Sequence, residues 1–444
     1  MSLTDGSADA GSLDEAFAVA REHHRAGRLD LAEGHYREIL ARDPAHADAL
    51  HLLGVLLFGW RQAEPAIELI TKAIALRPDD ARYRSNLGNV LREAGRLEEA
   101  VARYRQAVDL APELADAHHN LGVALGNLGD YDGAIAALER AVVLRPEHAA
   151  SHGTLAMLLD LSGRHADAAT AAERAVALAP DDGELHMTRA NALQKAGRPA
   201  EVLPICDAWL GTRRYVTRAL ALKCSALVDL GDAAALEDLA GRSLIDAFAI
   251  APPAGYADVA AFNRALADHV LAHPALKPPD PNHTTRGGRQ TGNIAQDTAP
   301  PLEVFKGLIQ TALDRRTADP RAGSAHPFWA SRPANLQFVM WAVAVDSGGH
   351  QSAHIHPSGW LSGVYYVDLP PEVGAGGDQA GWIEFGRAGD AFYTRHTPPV
   401  HTVEPRPGLM VTFPSYFYHR TMPFQSTGRR ISLAFDLVSA TADA

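Results

Sequence analysis

Five prolines recur at a fixed interval in the first half of the sequence. Neighbouring members of the set are 34 residues apart, a regularity that an irregular chain does not produce. The set comprises Pro44, Pro78, Pro112, Pro146 and Pro180. A period of this length indicates tandem supersecondary units, each of which buries its apolar face against the next unit. The first half of the chain is therefore predicted to be a repeat array rather than one globular core.

Each period contains two stretches in which apolar residues return every three or four positions. In one unit they read ADAHHNLGVALGNLG and YDGAIAALERAVVLRP, which predicts two amphipathic helices. The proline follows the second helix, because it cannot donate a hydrogen bond to the preceding turn. Small residues recur in the two helices, such as Gly88 and Ala100, and allow the paired helices to approach closely. The first half is therefore predicted to be an α-solenoid.

The residues Leu87, Gly88, Ala100, Tyr104, Ala107 and Pro112 resemble the signature of tetratricopeptide repeats. Six units run in register from about residue 12 to residue 215, and residues 218–241 resemble a degenerate seventh unit that caps the stack. The resemblance implies a right-handed superhelix whose concave groove binds an extended peptide or a partner protein. One position per unit forms a polar file that either binds such a peptide or is merely solvated: Asn86, Asn120, Thr154 and Thr188.

Composition excludes several classes of function. The formal net charge of -12 gives no support for nucleic acid as a partner. No apolar run approaches the ~20 residues of a membrane span, and the N-terminus lacks the basic and apolar regions of a secretion signal. The only cysteines, Cys206 and Cys224, provide neither a disulfide framework nor a Cys-rich zinc site. These features predict a cytoplasmic protein without a membrane partner.

The repeat pattern ends near residue 245, where Gly, Pro and aromatic residues become frequent. We therefore predict three segments: a disordered tail over residues 1–11, the repeat superhelix over 12–245, and a second domain over 246–440. The second domain is predicted to begin with helices within 257–273 and 300–316. Five short strands follow, and they read NLQFVMWAVAV, WLSGVYYVDL, AGWIEFGR, GLMVTFP and RRISLAFDLV. Consecutive strands without intervening helices favour an antiparallel sandwich or jelly roll, so the predicted fold class is multidomain α + β.

A histidine-rich stretch, HQSAHIHPSGWLSGVYYV, precedes the second of these strands. Within a strand, residues i and i+2 point to the same side, so His354 and His356 are able to bind one metal ion. A third ligand is expected far along the chain, and His419 follows a strand and a tight turn. Two histidines near in sequence with a distant third ligand are typical of a non-haem iron(II) site.

Arg430 and Ser432 lie on one side of the final apolar strand, where a guanidinium and a hydroxyl can hold a carboxylate. The order His-X-His, distant His, Arg-X-Ser resembles the 2-oxoglutarate- and iron(II)-dependent dioxygenases, which have a double-stranded β-helix fold. Within that superfamily, HIHP, SGVYYV, FPS and the late His419 are similar to a group often found behind tetratricopeptide repeats. The resemblance implies that Arg430 and Ser432 bind 2-oxoglutarate; Tyr366 is a further candidate for the same carboxylate, or a core aromatic.

The third metal ligand is open, because the superfamily usually has aspartate where this chain has His356. In the first interpretation, which we favour, His354, His356 and His419 all bind the metal. In the second, only His354 and His419 bind and water completes the site. In the third, a carboxylate comes from another strand, with Glu384 as the nearest candidate.

These patterns together predict an Fe(II)- and 2-oxoglutarate-dependent dioxygenase that hydroxylates a protein or peptide recruited by the repeat groove. Two alternatives remain. One is a non-catalytic interaction scaffold with a metal-binding, cupin-like domain. The other is an oxygenase that acts on a small molecule or glycan, in which the repeats serve only for assembly.

Overall fold

The computed structural model describes residues 12–212, 216–279, 283–373, 379–389 and 394–440. The predicted tail, residues 1–11, lies outside these ranges. The chain divides into two compact units, one ending at Pro180 and one beginning at Asp181. The second unit therefore contains the last repeat helices as well as the strands, while a functional boundary after residue 245 stays a prediction.

The repeat region consists of antiparallel helix pairs, and its α-solenoid fold confirms the prediction. In the six units from α1 to α12, the first helices of successive units begin 34 residues apart, as do the second helices. The helices are α1 (Leu13–Arg25), α2 (Leu29–Arg42), α3 (Ala47–Gly59), α4 (Ala63–Leu76), α5 (Ala81–Glu93), α6 (Leu97–Leu110), α7 (Ala115–Asn127), α8 (Tyr131–Leu144), α9 (Ala149–Leu161), α10 (His165–Leu178), α11 (Gly183–Lys195), α12 (Pro199–Thr212), α13 (Val216–Leu230) and α14 (Ala233–Ala240). Helices α2, α4, α6, α8 and α10 each end two residues before one of the five periodic prolines.

Close approach of paired helices explains the recurrent glycine in the first helix of the unit. A Cβ atom at Gly88 would lie 2.6 Å from Cε1 of Tyr104, and one at Gly122 would lie 2.6 Å from Cγ of Leu138. Contacts this short require the neighbouring side chain to move, so any larger residue separates the pair. The inference from sequence that small residues permit this packing is confirmed.

The turn between the two helices of a unit requires a residue with positive φ. Gly27, Gly95, Gly129 and Gly163 adopt φ values of 70°, 76°, 82° and 78° at this position. In the second unit the equivalent residue is Arg61, whose φ is 61°. Because the left-handed conformation is unfavourable for a residue with a Cβ atom, this turn is strained relative to the others.

We expect Arg61→Gly to raise the free energy of unfolding by about 1 kcal/mol, because glycine adopts the left-handed conformation without a steric penalty. The side chain of Arg61 is exposed, so its removal costs little packing. Urea denaturation followed by circular dichroism measures the change. The matched control, Gly95→Arg, should lower stability by a similar amount. A decrease in stability for Arg61→Gly would contradict the strain at this turn.

The second unit adds three helices and nine strands among the described residues. The further elements are β1 (Asp246–Ala249), α15 (Val259–Ala272), β2 (Thr285–Gln290), α16 (Pro300–Thr317), α17 (Pro327–Ala330), β3 (Leu336–Gln351), β4 (Gly359–Asp368), β5 (Ile383–Phe385), β6 (His401–Val403), β7 (Leu409–Pro414), β8 (His419–Thr421) and β9 (Arg430–Ser439). A short 3₁₀ helix, Arg242–Leu244, precedes β1.

The strands form two antiparallel sheets, as predicted for a jelly roll. The larger sheet has the order β1-β7-β4-β9-β3-β2, and the smaller has the order β6-β5-β8. Residues paired across an antiparallel ladder share a face, so Tyr366 lies beside Ser432 and Ser362 lies beside Asp436. In the smaller sheet, Phe385 is paired with His419. The inner faces of the two sheets therefore bring the start of β9 and the start of β8 to one cavity.

The strand predictions are correct for the five apolar segments but miss four short elements. β2, with the sequence TRGGRQ, pairs with β3 although it has no apolar alternation. Its pairing is set by the tertiary fold rather than by β-propensity. Within the part of the chain that the structure describes, no helix has both the length and the apolarity needed to cross a bilayer.

Candidate metal centre

His354 and His356 lie in the connection between β3 and β4 rather than inside a regular strand. The sequence prediction placed them in a strand and is wrong in this detail. Backbone pairing nevertheless holds the segment extended: the amide of His354 donates to His419 O, and the amide of His419 donates to His354 O, both at 3.0 Å. The amide of His356 donates to Ser415 O at 3.0 Å. This irregular bridge has the side-chain alternation of a strand, which is why the two imidazoles still converge.

The three predicted histidines form one cluster. Their ring centroids lie 5.0 Å apart for His354 and His356, 4.2 Å for His354 and His419, and 5.0 Å for His356 and His419. One ligating nitrogen from each ring lies within 4.8 Å of the other two. The Nε2 atoms of His356 and His419 are 3.3 Å apart.

Hydrogen bonds to the opposite ring nitrogen fix the orientation of each imidazole. Nδ1 of His354 donates to Ser352 O at 2.7 Å, and Nδ1 of His419 donates to Phe417 O at 3.0 Å. Nδ1 of His356 donates to Oδ2 of Asp436 at 2.7 Å. Since carbonyl and carboxylate oxygens only accept, each Nδ1 carries a proton and each Nε2 is left to bind a cation. With both rings neutral, the Nε2 lone pairs of His356 and His419 face each other at 3.3 Å, and a proton or a metal ion between them relieves the repulsion.

Burial keeps the imidazoles of His354 and His419 neutral by lowering their pKa values. Desolvation lowers the pKa of His354 to about 4, with a further decrease from the neighbouring His356. Burial also lowers the pKa of His419 well below its usual value, and the positive forms of His354 and His356 add to the effect. A neutral imidazole is the form that binds a metal, so the cavity favours ligation over protonation at ordinary pH.

Asp436 is a site residue that the sequence reasoning missed. Its Oδ1 accepts a hydrogen bond of 2.6 Å from Oγ of Ser362, which in turn lies 2.8 Å from Oγ of Ser415. The carboxylate therefore contacts Nδ1 of His356 and does not lie among the Nε2 atoms of the three histidines. Alternation along β9 places Asp436 on the same side as Arg430 and Ser432, and that was the available signal.

Glu384, the alternative carboxylate, is not part of the histidine cluster. It accepts hydrogen bonds from Nε of Arg387 at 2.9 Å and from Nε of Arg420 at 2.7 Å. Burial alone would raise its pKa, but these two guanidinium groups lower it overall. Glu384 pairs with Arg420 across the ladder, while the adjacent Phe385 pairs with His419, so Glu384 faces away from the histidines.

Arg430 lies in the same cavity as the histidines, together with Tyr366 and Ser432. Its side chain is 1% exposed, and Nη1 donates to Gly381 O at 3.1 Å. Within the described ranges, no carboxylate forms an ion pair with it, and neither Arg430 Nε nor Tyr366 Oη has a hydrogen-bond partner. Burial lowers the pKa of Arg430 and raises that of Tyr366 to about 12. A buried cation beside an unsatisfied hydroxyl is suited to a carboxylate ligand.

A second group, His269, His273 and Asp297, differs from the first in its hydrogen bonds. Nε2 of His269 lies 3.0 Å, and Nε2 of His273 lies 3.3 Å, from Oδ2 of Asp297. The amide of Ala275 donates to Nδ1 of His273 at 3.1 Å, so the proton of the neutral ring is on Nε2. That proton is donated to Asp297, and the group is a hydrogen-bonded cluster rather than a set of free ligands.

The predicted polar file of the repeats is half-buried, and most of its members contact their own neighbours. Nδ2 of Asn86 lies 2.8 Å from Nε2 of His51. The hydroxyls of Thr154 and Thr188 donate to Ala150 O and Glu184 O of their own helices, at 2.9 Å and 2.8 Å. Asn120 occupies the equivalent position of α7. Peptide binding by these four residues stays a prediction.

Comparison with known families supports both halves of the predicted architecture. Residues 339–436 match the family described as "Putative 2OG-Fe(II) oxygenase". Profiles described as TPR repeat or tetratricopeptide repeat match residues 23–88, 88–129, 119–183 and 155–216. The chain contains tetratricopeptide repeats followed by a domain of this oxygenase type.

Several solved structures resemble the repeat region. "Crystal structure of MamA" is 22% identical over 36% of this chain and 94% of that chain, with a TM-score of 0.34. "Functional Characterization of Pseudomonas Aeruginosa pilF" is 22% identical over 42% and 85%, with a TM-score of 0.39. "Crystal structure of YrrB: a TPR protein with an unusual peptide-binding site" is 20% identical over 39% and 90%, with a TM-score of 0.35.

Proposed function

We propose that this protein, which has tetratricopeptide repeats and a domain matching the 2OG-Fe(II) oxygenase family, is an iron(II)- and 2-oxoglutarate-dependent dioxygenase. Its substrate would be a side chain of a protein or peptide recruited by the repeats. The observation that carries the proposal is the shared cavity: the three histidines line it together with Arg430 and Tyr366, and Nε of Arg430 and Oη of Tyr366 have no hydrogen-bond partner among the described residues.

In this proposal His354, His356 and His419 hold iron(II) with neutral nitrogen ligands. Arg430, with Ser432 and Tyr366, binds the distal carboxylate of 2-oxoglutarate. Iron(II) with this co-substrate supplies the oxidative chemistry: substrate–H, O₂ and 2-oxoglutarate give substrate–OH, succinate and CO₂. The protein's own contribution is to hold these groups in a cavity from which water is largely excluded.

Asp436 would act through His356, as carboxylates commonly do behind metal-binding histidines. Its Oδ2 accepts the hydrogen bond from Nδ1–H of His356 and so makes Nε2 a stronger electron-pair donor to the metal. The wider superfamily uses a carboxylate as a direct metal ligand. In this chain the carboxylate of Asp436 would instead contact a ligand, His356, and not the metal itself. This arrangement supports three histidine ligands over the two-histidine and Glu384 alternatives.

Asp436→Asn should weaken binding of a divalent metal by about ten- to a hundred-fold, because the amide keeps the shape but removes the charge. Competition with a chromophoric chelator measures the change. Ser362→Ala is the matched control: it removes the hydrogen bond to Oδ1 of Asp436 but retains the carboxylate, so we expect a smaller loss. Equal metal affinity in Asp436→Asn and the wild type would contradict the role of Asp436.

The repeats favour a macromolecular substrate, since tetratricopeptide grooves bind peptides and partner proteins. Residues Asn86, Asn120, Thr154 and Thr188 are the proposed contacts along such a peptide. The free, buried cysteines Cys206 and Cys224 fit a reducing, cytoplasmic location for the reaction.

Anaerobic titration with iron(II) and then 2-oxoglutarate tests the proposal directly. We expect a weak visible charge-transfer absorption that appears only when both are present. Admission of O₂ with a peptide library should then release succinate in excess of a peptide-free control. A metal-loaded protein that gives no absorption with 2-oxoglutarate would reject the co-substrate, and succinate release only with a small molecule or glycan would reject the peptide.

A further inference from the structure

The last repeat helices contact the segment that carries His356. Oγ1 of Thr217, in the first turn of α13, donates a hydrogen bond of 2.8 Å to Gly359 O. Both residues are buried. The amide of Gly359 donates to His356 O at 2.9 Å and closes the turn between the ligand and β4. One hydroxyl of a repeat helix therefore fixes the turn that directly follows a candidate ligand.

Helices α13 and α14 also contact the turn that precedes His419. Oη of Tyr416 donates to Leu239 O of α14 at 2.6 Å. The side chain of Tyr418 is buried and lines one cavity with Cys224 and Ser225 of α13. Tyr416 and Tyr418 flank Phe417, whose carbonyl accepts the Nδ1 proton of His419. The position of His419 thus depends on a turn anchored to α13 and α14.

The two ligand-bearing segments are locked to each other as well. The amide of His356 donates to Ser415 O, and the amide of Ser415 donates to Trp360 O at 3.1 Å. A Cβ atom at Gly359 would lie 2.4 Å from Oγ of Ser415, so the segments are already in close contact. A displacement at Gly359 is therefore transmitted to Ser415 and to the turn before His419.

We propose that Thr217 is a positioning residue for the metal centre, so that the repeat helices are a structural part of the site. The inference rests on the proposed function, because it concerns the same three histidine ligands. Thr217 touches neither metal nor co-substrate; it acts by holding Gly359 and, through that turn, His356. Its hydroxyl, rather than its bulk, carries the effect, since only the hydroxyl donates to the buried carbonyl.

Cobalt(II) titration of the full-length protein under anaerobic conditions tests this inference, because the visible absorption of Co(II) reports both affinity and ligand geometry. Thr217→Val keeps the shape but removes the donor, and we expect about tenfold weaker binding with an altered spectrum. Thr217→Ser should restore both. Thr311→Val is the control: the Thr311 hydroxyl donates to Gly307 O within α16, remote from the ligand turns, and its loss should change neither.

Outcomes at three points distinguish the possibilities. A wild-type protein that binds no metal overturns the proposed function and this inference with it. Wild-type affinity and spectrum in Thr217→Val overturn the positioning role alone, as does a Thr217→Ser variant that remains as impaired as Thr217→Val. If circular dichroism shows that Thr217→Val is unfolded, Tyr416→Phe replaces it: loss of the bond to Leu239 should then alter the Co(II) spectrum, and an unchanged spectrum overturns the inference.

Discussion

His419→Ala is expected to abolish measurable iron(II) binding and, with it, all succinate release. His419 is the most buried member of the cluster, and its Nε2 lies 3.3 Å from that of His356. Removal leaves two ligands and opens the apolar wall formed by Phe385 and Phe413, whose rings pack near the imidazole. Loss of one of three protein ligands, at the most buried position of the cluster, should lower the metal affinity below what the assay detects.

Anaerobic dialysis against iron(II), followed by colorimetric iron determination, measures the occupancy. His350→Ala is the matched control, because His350 belongs to the same histidine-rich stretch but lies outside the cluster. We expect the control to retain wild-type occupancy. Full iron occupancy in His419→Ala would show that the metal, if one binds, uses other ligands, and the assignment of all three histidines would then be abandoned.

The periodic half of the molecule could be predicted from sequence in detail, because each rule acts locally. A proline ends each second helix, and a glycine such as Gly88 is required where Tyr104 packs against its Cα atom. Arg61 is the informative exception: the periodicity that places Gly95 and Gly129 in the left-handed turn forces an arginine into the same conformation. At this position the packing of the repeat determines the backbone conformation, although arginine disfavours a positive φ.

The candidate site was predictable only as far as side-chain alternation reaches. The spacing of His354 and His356 in one segment, and of Arg430 and Ser432 in another, predicts that each pair points to one side. The structure brings the two pairs to one cavity. The role of Asp436 depends on the register between β4 and β9, which places Ser362 opposite it. Likewise, the contact between Thr217 and Gly359 joins residues 142 positions apart. Register and long-range contacts of this kind are tertiary properties that a single sequence does not specify.

The same register explains why a histidine at position 356 is compatible with the site. An aspartate there would place two carboxylates side by side, one of them the existing Asp436, and such a pair cannot readily both be ionised. Histidine donates its Nδ1 proton to Asp436 instead and leaves Nε2 free. The carboxylate of Asp436 therefore keeps a negative charge near the site, and the imidazole of His356 separates this charge from the proposed metal position.

Arg430→Met is expected to weaken 2-oxoglutarate binding by at least about a hundredfold, since removal of one member of a buried charge pair typically costs about 3–5 kcal/mol. Iron(II) occupancy should remain unchanged, because Arg430 does not contact the histidines through any hydrogen bond or ion pair. In the ligand-free protein the same substitution should be stabilising rather than harmful. The guanidinium is buried without a carboxylate among the described residues, so the neutral side chain should stabilise the ligand-free protein by about 1–3 kcal/mol.

Two measurements on the same pair of proteins separate these effects. Thermal unfolding of the metal-loaded wild type should shift upward with 2-oxoglutarate, since the ligand binds only the native state, whereas Arg430→Met should start higher and show no shift. Arg430→Lys is the control for charge alone: it keeps the cation but lacks the planar pair of donors, so we expect intermediate affinity. An Arg430→Met variant that is less stable than the wild type and still responds to 2-oxoglutarate would mean that Arg430 stabilises the fold. An arginine that binds a carboxylate ligand is expected to lower the stability of the ligand-free protein and to raise the affinity for the ligand.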